Sequence, residues 1–257
     1  MDDRVQKFLE SEAGVSLDVL PIEGNLVLES SNLTDDRGNC LAARRFVGSN
    51  GVLVTVGPGR ADALTHAVRR MTPGEIFSPL GRAELCRALN VSDEPPRYYL
   101  YGFRYVLTSL DDFCSAQTTH TATPLGKGDI PEEQLEMRMS QRREQLTEDY
   151  VWAFACHRDD PAFEATNLAP FGAQCAAVAV AMWKDGPVAD IGIETDESCR
   201  GRGFGLAAAS ATTKWILEQD EVAVYGAYYN NIPSLRIARR LGFNFLQQRT
   251  GIGVYHR

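Results

Sequence analysis

Apolar and polar positions along this 257-residue chain change period several times, and each change marks an element. Residues 5–13 carry the spacing of a short helix, and residues 51–56 (GVLVTV) form a compact apolar strand ended by Gly57, Pro58 and Gly59. A helical pattern follows through Met71, and residues 97–107 (RYYLYGFRYVL) alternate as a strand. The stretch 114–132 is polar, rich in Thr, Gly and Pro, and without a sustained apolar period, which suits a linker or crossover. A boundary near residue 128 divides the chain into 1–128, a smaller mixed α/β domain, and 129–257.

The second part opens with a charged helical stretch at 131–146 and a strand at 150–156. Residues 174–183 read as a largely buried strand, Lys184, Asp185 and Gly186 as a turn, and residues 188–195 as the returning strand of an antiparallel hairpin. After Arg200 the period becomes helical: Phe204, Ala207, Ala208, Ala211 and Trp215 fall on one face. A strand at 222–227, an amphipathic helix at 232–241 with Pro233 in its first turn and Gly242 after it, and a strand at 243–248 complete the layout. The fold class is α/β, of mixed α+β character, with helices covering a sheet.

Composition narrows the function classes. Lys plus Arg is 26 against 34 Asp plus Glu, a formal charge of -8, which disfavours nucleic acid and acidic membrane surfaces as partners. The six cysteines contain no CxxC pair and no close pairing with the four histidines, so no metal site is expected. They read as free, buried thiols of a reducing compartment. The charged start MDDRVQKFLESEAG is unlike a signal peptide, and the longest apolar run is too short to cross a bilayer, so the expected location is cytoplasmic.

The densest chemical signal is Arg200-Gly201-Arg202-Gly203-Phe204-Gly205, between an apolar strand and an alanine-rich helix. Alternate glycines let the backbone turn tightly and bare successive N–H groups, and the positive end of the following helix adds to them. With two arginines in the same turn the site suits a diphosphate. The pattern lacks the GK[ST] of a Walker loop. It resembles the R/Q-x-x-G-x-G/A signature of the GNAT N-acetyltransferase superfamily, and Asn231, Ser234, Arg240, Gly242 and Phe243 resemble that superfamily's closing pattern, N-x-x-A/S-x-x-L-Y-x-K/R-x-G-F. The strand Ile191-Gly192-Ile193-Glu194-Thr195 is also similar to one in the two-part acetyltransferases related to zwittermicin A resistance proteins.

That resemblance implies a GNAT-like acyl-CoA N-acyltransferase fold over about 135–257 and acetyl-CoA as acyl donor, with no metal, while residues 1–128 would either help form the acceptor cleft or be a degenerate GNAT-like module. It implies an enzyme that acetylates a primary amine of a small molecule or peptide by direct attack on the thioester. The strands at 188–195 and 222–228 would part around the pantetheine arm, and a backbone N–H near Ile193 or Thr195 would polarise the carbonyl. Arg200 through Gly205 would wrap the diphosphate, and Asn231 and Ser234 would meet the arm, or cap and satisfy the helix that follows them. Glu194 is the candidate proton acceptor. The family's proton-donating tyrosine would fall at Ala238, which leaves Tyr228 and Tyr229 as alternatives and keeps open an acyl-CoA-binding sensor that transfers nothing. The acidic chain slightly favours cationic acceptors such as aminoglycosides or polyamines, and either a monomer or a homodimer fits. Val56 to Arg60 also joins a strand to a helix, but Pro58 removes a donor, so a purely structural turn is expected there.

Overall fold

The computed structural model describes residues 1–20, 23–33, 39–90, 97–126, 129 and 153–254. The helix expected at 131–146 and the first residues of the strand expected at 150–156 lie outside them. One sheet contains ten strands: β1 (Asn25–Glu29), β2 (Asn39–Phe46), β3 (Val52–Val56), β4 (Arg97–Leu107), β5 (Ala122–Leu125), β6 (Ala153–His157), β7 (Cys175–Asp185), β8 (Val188–Thr195), β9 (Val222–Tyr228) and β10 (Asn244–Val254). Their spatial order is β1-β3-β2-β10-β4-β9-β8-β7-β6-β5. The helices are α1 (Asp3–Ala13), α2 (Ala61–Arg69), α3 (Pro73–Ile76), α4 (Pro79–Ala88), α5 (Phe204–Glu218) and α6 (Ile232–Arg240). The mixed α/β class read from the sequence is the class observed, and the β7–β8 hairpin is antiparallel as its short turn requires.

The order of strands ties the two halves of the chain together. β4, from the first half, lies between β9 and β10 of the second and is antiparallel to both. β10 in turn pairs with β2, so it runs to Val254 instead of ending near residue 248. Its last residues, with glycines at 251 and 253, carry little strand signal of their own, and pairing on both sides supplies what local propensity lacks.

Register fixes what each face of the sheet carries. On one face Val5, Phe8 and Leu9 of α1 pack with Val188, Val222 and Val224. Residues directly opposite share a face, so Arg104, opposite Gly226, points the same way as Val106, opposite Val224. The other face holds the larger core, where Ile191, Ala223 and Tyr225 meet α5 and α6. Farther along it Val52, Val54 and Val56 meet Leu64, Val68 and Leu85 of α2 and α4.

Residues 114–126 are less open than their composition suggests. Ala116 N–H donates to Ser210 Oγ on α5 at 3.1 Å, and residues 122–125 form strand β5, where Pro124 is tolerated because β5 has no outer neighbour among the described residues. Among the described cysteines, 86, 114, 156, 175 and 199 are free and all but Cys114 are buried. Burial pushes the Cys156 thiol up to about 11 and the Cys175 thiol up to about 12, which keeps both unreactive. Among the described residues no helix is long and apolar enough to cross a membrane.

Candidate cofactor and acceptor cleft

β8 and β9 run parallel but pair only from Val188↔Val222 to Asp190↔Val224. Beyond that point β8 stays with β7 as far as Thr195, while β9 stays with β4 as far as Tyr228. The strands therefore part like the arms of a V, and their facing edges no longer satisfy each other's N–H and C=O groups. A cavity of about 400 Å³ opens in the gap. Residues 190–193, 225–228 and 102–104 form its walls, with Met182, Asn231, Ser234 and Arg249 completing them. Pairing with β7 is regular from residue 189 to 195, so no bulge intervenes and Asp190 and Glu194 face the same way.

At the outer end of β8 the chain passes through a 3-10 turn, Glu197–Cys199, into the glycine-rich segment and α5. Asp196 caps that turn, accepting from Ser198 N–H, and also accepts from Thr166 N–H at 2.8 Å. Gly201 and Gly203 adopt φ of 74° and 95°, and Gly203 caps α5 without a side chain. Ala207 N–H makes the first helical bond, to the Gly203 carbonyl. The six N–H groups from Gly201 to Leu206 have no hydrogen-bond partner among the described residues. A Cβ at Gly205 would lie 2.6 Å from Thr195 Oγ1, so glycine there lets the helix start rest directly against β8.

The segment read as a linker also contributes to this turn. His120 Nε2 lies 2.9 Å from the Arg202 carbonyl oxygen, and its ring stacks on Phe204 with centroids 3.8 Å apart. The Arg200 and Arg202 side chains remain at the surface, Arg200 in a loose pair with Glu197. The start of α2 is built differently: Gly59 has φ of 77°, but Ala61 N–H is met by the protein's own Glu29 carboxylate at 3.3 Å. A carboxylate from β1 stands where an external anion would bind, which accounts for the structural role expected of Val56 to Arg60.

The other candidate residues divide between cavity and rim. Ile193 lines the cavity, whereas Thr195 is turned towards Gly205. Glu194 lies outside the lining, and its Oε1 accepts from Asn167 Nδ2 at 2.6 Å. Tyr228 lines the cavity and is 54% exposed, while Tyr229 is 52% exposed and lies outside the lining. Asn231 and Ser234 both line the cavity, and Asn231 Oδ1 also caps α6 by accepting from Ser234 N–H at 3.2 Å. Ala238 is fully buried in the core.

Sequence reading missed Tyr225, Arg104 and Arg249, and placed Asp190 only on the same strand face as Glu194, too far from it for a directly paired acid and base. Tyr225 is buried and lines the cavity, and its hydroxyl lies 2.8 Å from Ser234 Oγ. Burial pushes its phenol up to about 12. At the closed end Arg104 Nη1 donates to Glu12 Oε2 of α1 at 2.6 Å, and its Nη2 is 3.8 Å from Asp190 Oδ2. Arg249 Nη1 donates to Glu12 Oε1 at 3.3 Å, and Arg44 Nε lies 3.9 Å from Glu12 Oε2. Burial alone would raise the Glu12 carboxyl, but Arg104, then Arg249 and Arg44, hold it down at about 2. These residues come from α1, β2, β4, β8 and β10, so local spacing offered no signal for them.

A pair of parallel strands parts around a cleft, and the helix start beyond one of them has N–H groups without a partner among the described residues. Residues 171–251, about a third of the chain, match the family model described as GNAT acetyltransferase. That stretch is similar to the GNAT acetyltransferases, a family that transfers acyl groups from acyl-coenzyme A. Similar solved structures include a GNAT-family acetyltransferase from Colwellia psychrerythraea: 14% identity over 68% of this chain and 62% of that one, with a TM-score of 0.44. A GNAT protein from Sphaerobacter thermophilus is 12% identical over 82% and 76%, with a TM-score of 0.45. A tandem GNAT protein from the clavulanic acid biosynthesis pathway is 12% identical over 98% and 95%, with a TM-score of 0.43. The chain thus spans less than two thirds of the Colwellia protein's length. Curated proteins give no match.

Proposed function

We propose that the protein is an N-acetyltransferase that moves an acetyl group from acetyl-coenzyme A to a primary amine of a small molecule or peptide by direct attack on the thioester. The observation that carries this reading is the row of six N–H groups from Gly201 to Leu206, without a partner among the described residues, at the outer end of the gap between β8 and β9. Those groups, with Arg200 and Arg202, fit a diphosphate. The bare edges of β8 and β9 fit an amide-bearing arm, which would pair with them much as a strand would. When bound, acetyl-coenzyme A supplies the activated acyl group.

The protein's own residues then orient and move protons. Backbone N–H groups of β8 near Ile193 would stabilise charge on the thioester oxygen. Of the two same-face carboxylates on β8, roughly 13 Å apart in an ideal strand, Asp190 lines the cavity while Glu194 is held by Asn167. We therefore assign proton acceptance from the amine to Asp190 and a supporting role at the rim to Glu194. Tyr225, protonated throughout the physiological range and hydrogen-bonded with Ser234, is the buried one of the two tyrosines that line the cavity, and we assign it the proton for the departing sulfur. It takes over the role considered for Tyr228 and Tyr229.

Calorimetry with acetyl-CoA tests the donor: saturable binding is expected, and its weakening when Gly203 is replaced by a bulky residue. A thiol-release screen over amines tests transfer. The buried alanine at 238 is the observation behind a second reading, a sensor that binds acyl-CoA without transferring it. Binding without thiol release from any amine would favour that reading, and no binding at all would sink both.

A further inference from the structure

The closed end of the cavity carries an imbalance of charge. Three guanidinium groups, of Arg44, Arg104 and Arg249, converge on two carboxylates, Glu12 and Asp190. Arg44 and Arg104 are spent inside the protein: their side chains are 8% and 6% exposed, and Arg44 also donates to Thr55 Oγ1 and to the Glu12 carbonyl. Arg249 differs. Its side chain is 28% exposed, it lines the cavity, and among the described residues its one hydrogen bond runs from Nη1 to Glu12. The rest of its donor fork is available to the cavity, on the wall where Arg104, Asp190 and Tyr228 also lie.

An excess cation in a confined site is costly unless something compensates it. The surroundings of Arg249 show that cost, since burial and then repulsion from Arg104 lower its pKa, against the opposing pull of Glu12, Asp190 and Tyr228. An anionic ligand group would relieve it, and a planar carboxylate matches the guanidinium fork in shape as well as charge. Asp190, which shares the cavity, has the opposite preference and suits an ammonium or an amine losing its proton.

We infer that the acceptor is a small aminocarboxylate, such as a free amino acid, bound with its carboxylate on Arg249 and its amine facing Asp190. This names the substrate class of the site proposed above and rests on that reading for which group reacts. It also reverses the preference drawn from net charge: the chain as a whole is acidic at -8, yet among the described residues that line the cavity two cations, Arg104 and Arg249, stand with one anion, Asp190. Long-range charge steers encounter, whereas the cavity decides what stays bound.

The test is calorimetric titration of matched pairs into the whole protein, with and without coenzyme A. Each amino acid is paired with its primary amide and with the amine left by removing its carboxylate. At least one amino acid is expected to bind about ten-fold more tightly than both partners, equivalent to about 1.4 kcal/mol. Arg249→Gln should reduce that preference to near parity, and Arg249→Lys, which keeps the charge without the fork, should retain part of it. Equal or tighter binding of the partners that lack the carboxylate in every pair, or no binding by any compound, would overturn the inference. So would a preference that survives in folded Arg249→Gln protein. The wild-type comparison decides the matter even where a variant does not fold. Carboxylate-selective binding without thiol release from acetyl-CoA would sink the transferase reading and leave the carboxylate's place on Arg249 standing, whereas thiol release with amides alone would do the reverse.

Discussion

At Gly205 the lack of a side chain sets how near α5 comes to β8, since a Cβ there would lie 2.6 Å from Thr195 Oγ1. Gly205→Val is expected to push the helix start away from the strand, costing about 1–3 kcal/mol of stability and weakening acetyl-CoA binding in calorimetry by at least about ten-fold. Preserved affinity would mean that the bare N–H groups of this turn do not hold the donor. Tyr225→Phe keeps the packing against Phe243 and removes only the hydroxyl. It should lower kcat by about 10²-fold or more with little change in acetyl-CoA affinity, while Tyr228→Phe and Tyr229→Phe have smaller effects. These two sites differ in how far a sequence reveals them. Alternate glycines before an alanine-faced helix announce a tight turn into a helix within six residues, which is the turn observed. Tyr225 reads as one more apolar strand position until the turn after β9 brings Ser234 to its hydroxyl.

α1 shows how one helix can carry both a core contact and the electrostatics of the cleft. Its apolar face was legible from spacing, and it is the face that packs on Val188, Val222 and Val224. Glu12 was not legible as special, because its three arginine partners are 32, 92 and 237 residues away. Its folded pKa, about 2, is lower than the ordinary 4.5, so its ionisation favours the folded state above pH 4.5. That contribution, on the order of 3 kcal/mol at most, is lost as pH falls from about 4.5 towards 2. Chemical denaturation across this window should show stability declining in the natural protein and a shallower decline in Glu12→Gln. The variant should also be less stable at pH 7, because three guanidinium groups lose their shared partner; breaking such a buried arrangement costs roughly 3–5 kcal/mol. Equal slopes for the two proteins would show that Glu12 is not held as described.

At the scale of the whole molecule, local pattern identified most strands of the second half but not their neighbours, because pairing is settled between residues far apart. The boundary near residue 128 followed from a polar stretch between apolar ones, and composition at that stretch is silent about β4. Yet β4 stands between β9 and β10, its Gly102 and Arg104 line the cleft, and its Arg104 joins α1 to Asp190. Residues 129–257 alone would leave the inner edges of both β9 and β10 without a partner strand, exposing main-chain groups and the apolar side chains of Val224 and Leu246. We expect that fragment to aggregate or to unfold without a cooperative transition, and to bind acetyl-CoA poorly although it contains the entire glycine-rich turn. Supplying residues 1–128 as a separate chain should restore a soluble complex, with binding recovered as the two fragments are mixed. A soluble 129–257 fragment with a sharp thermal transition and undiminished affinity would show that the second half folds without β4. The first half would then serve the acceptor side of the cleft alone, through Gly102, Phe103 and Arg104.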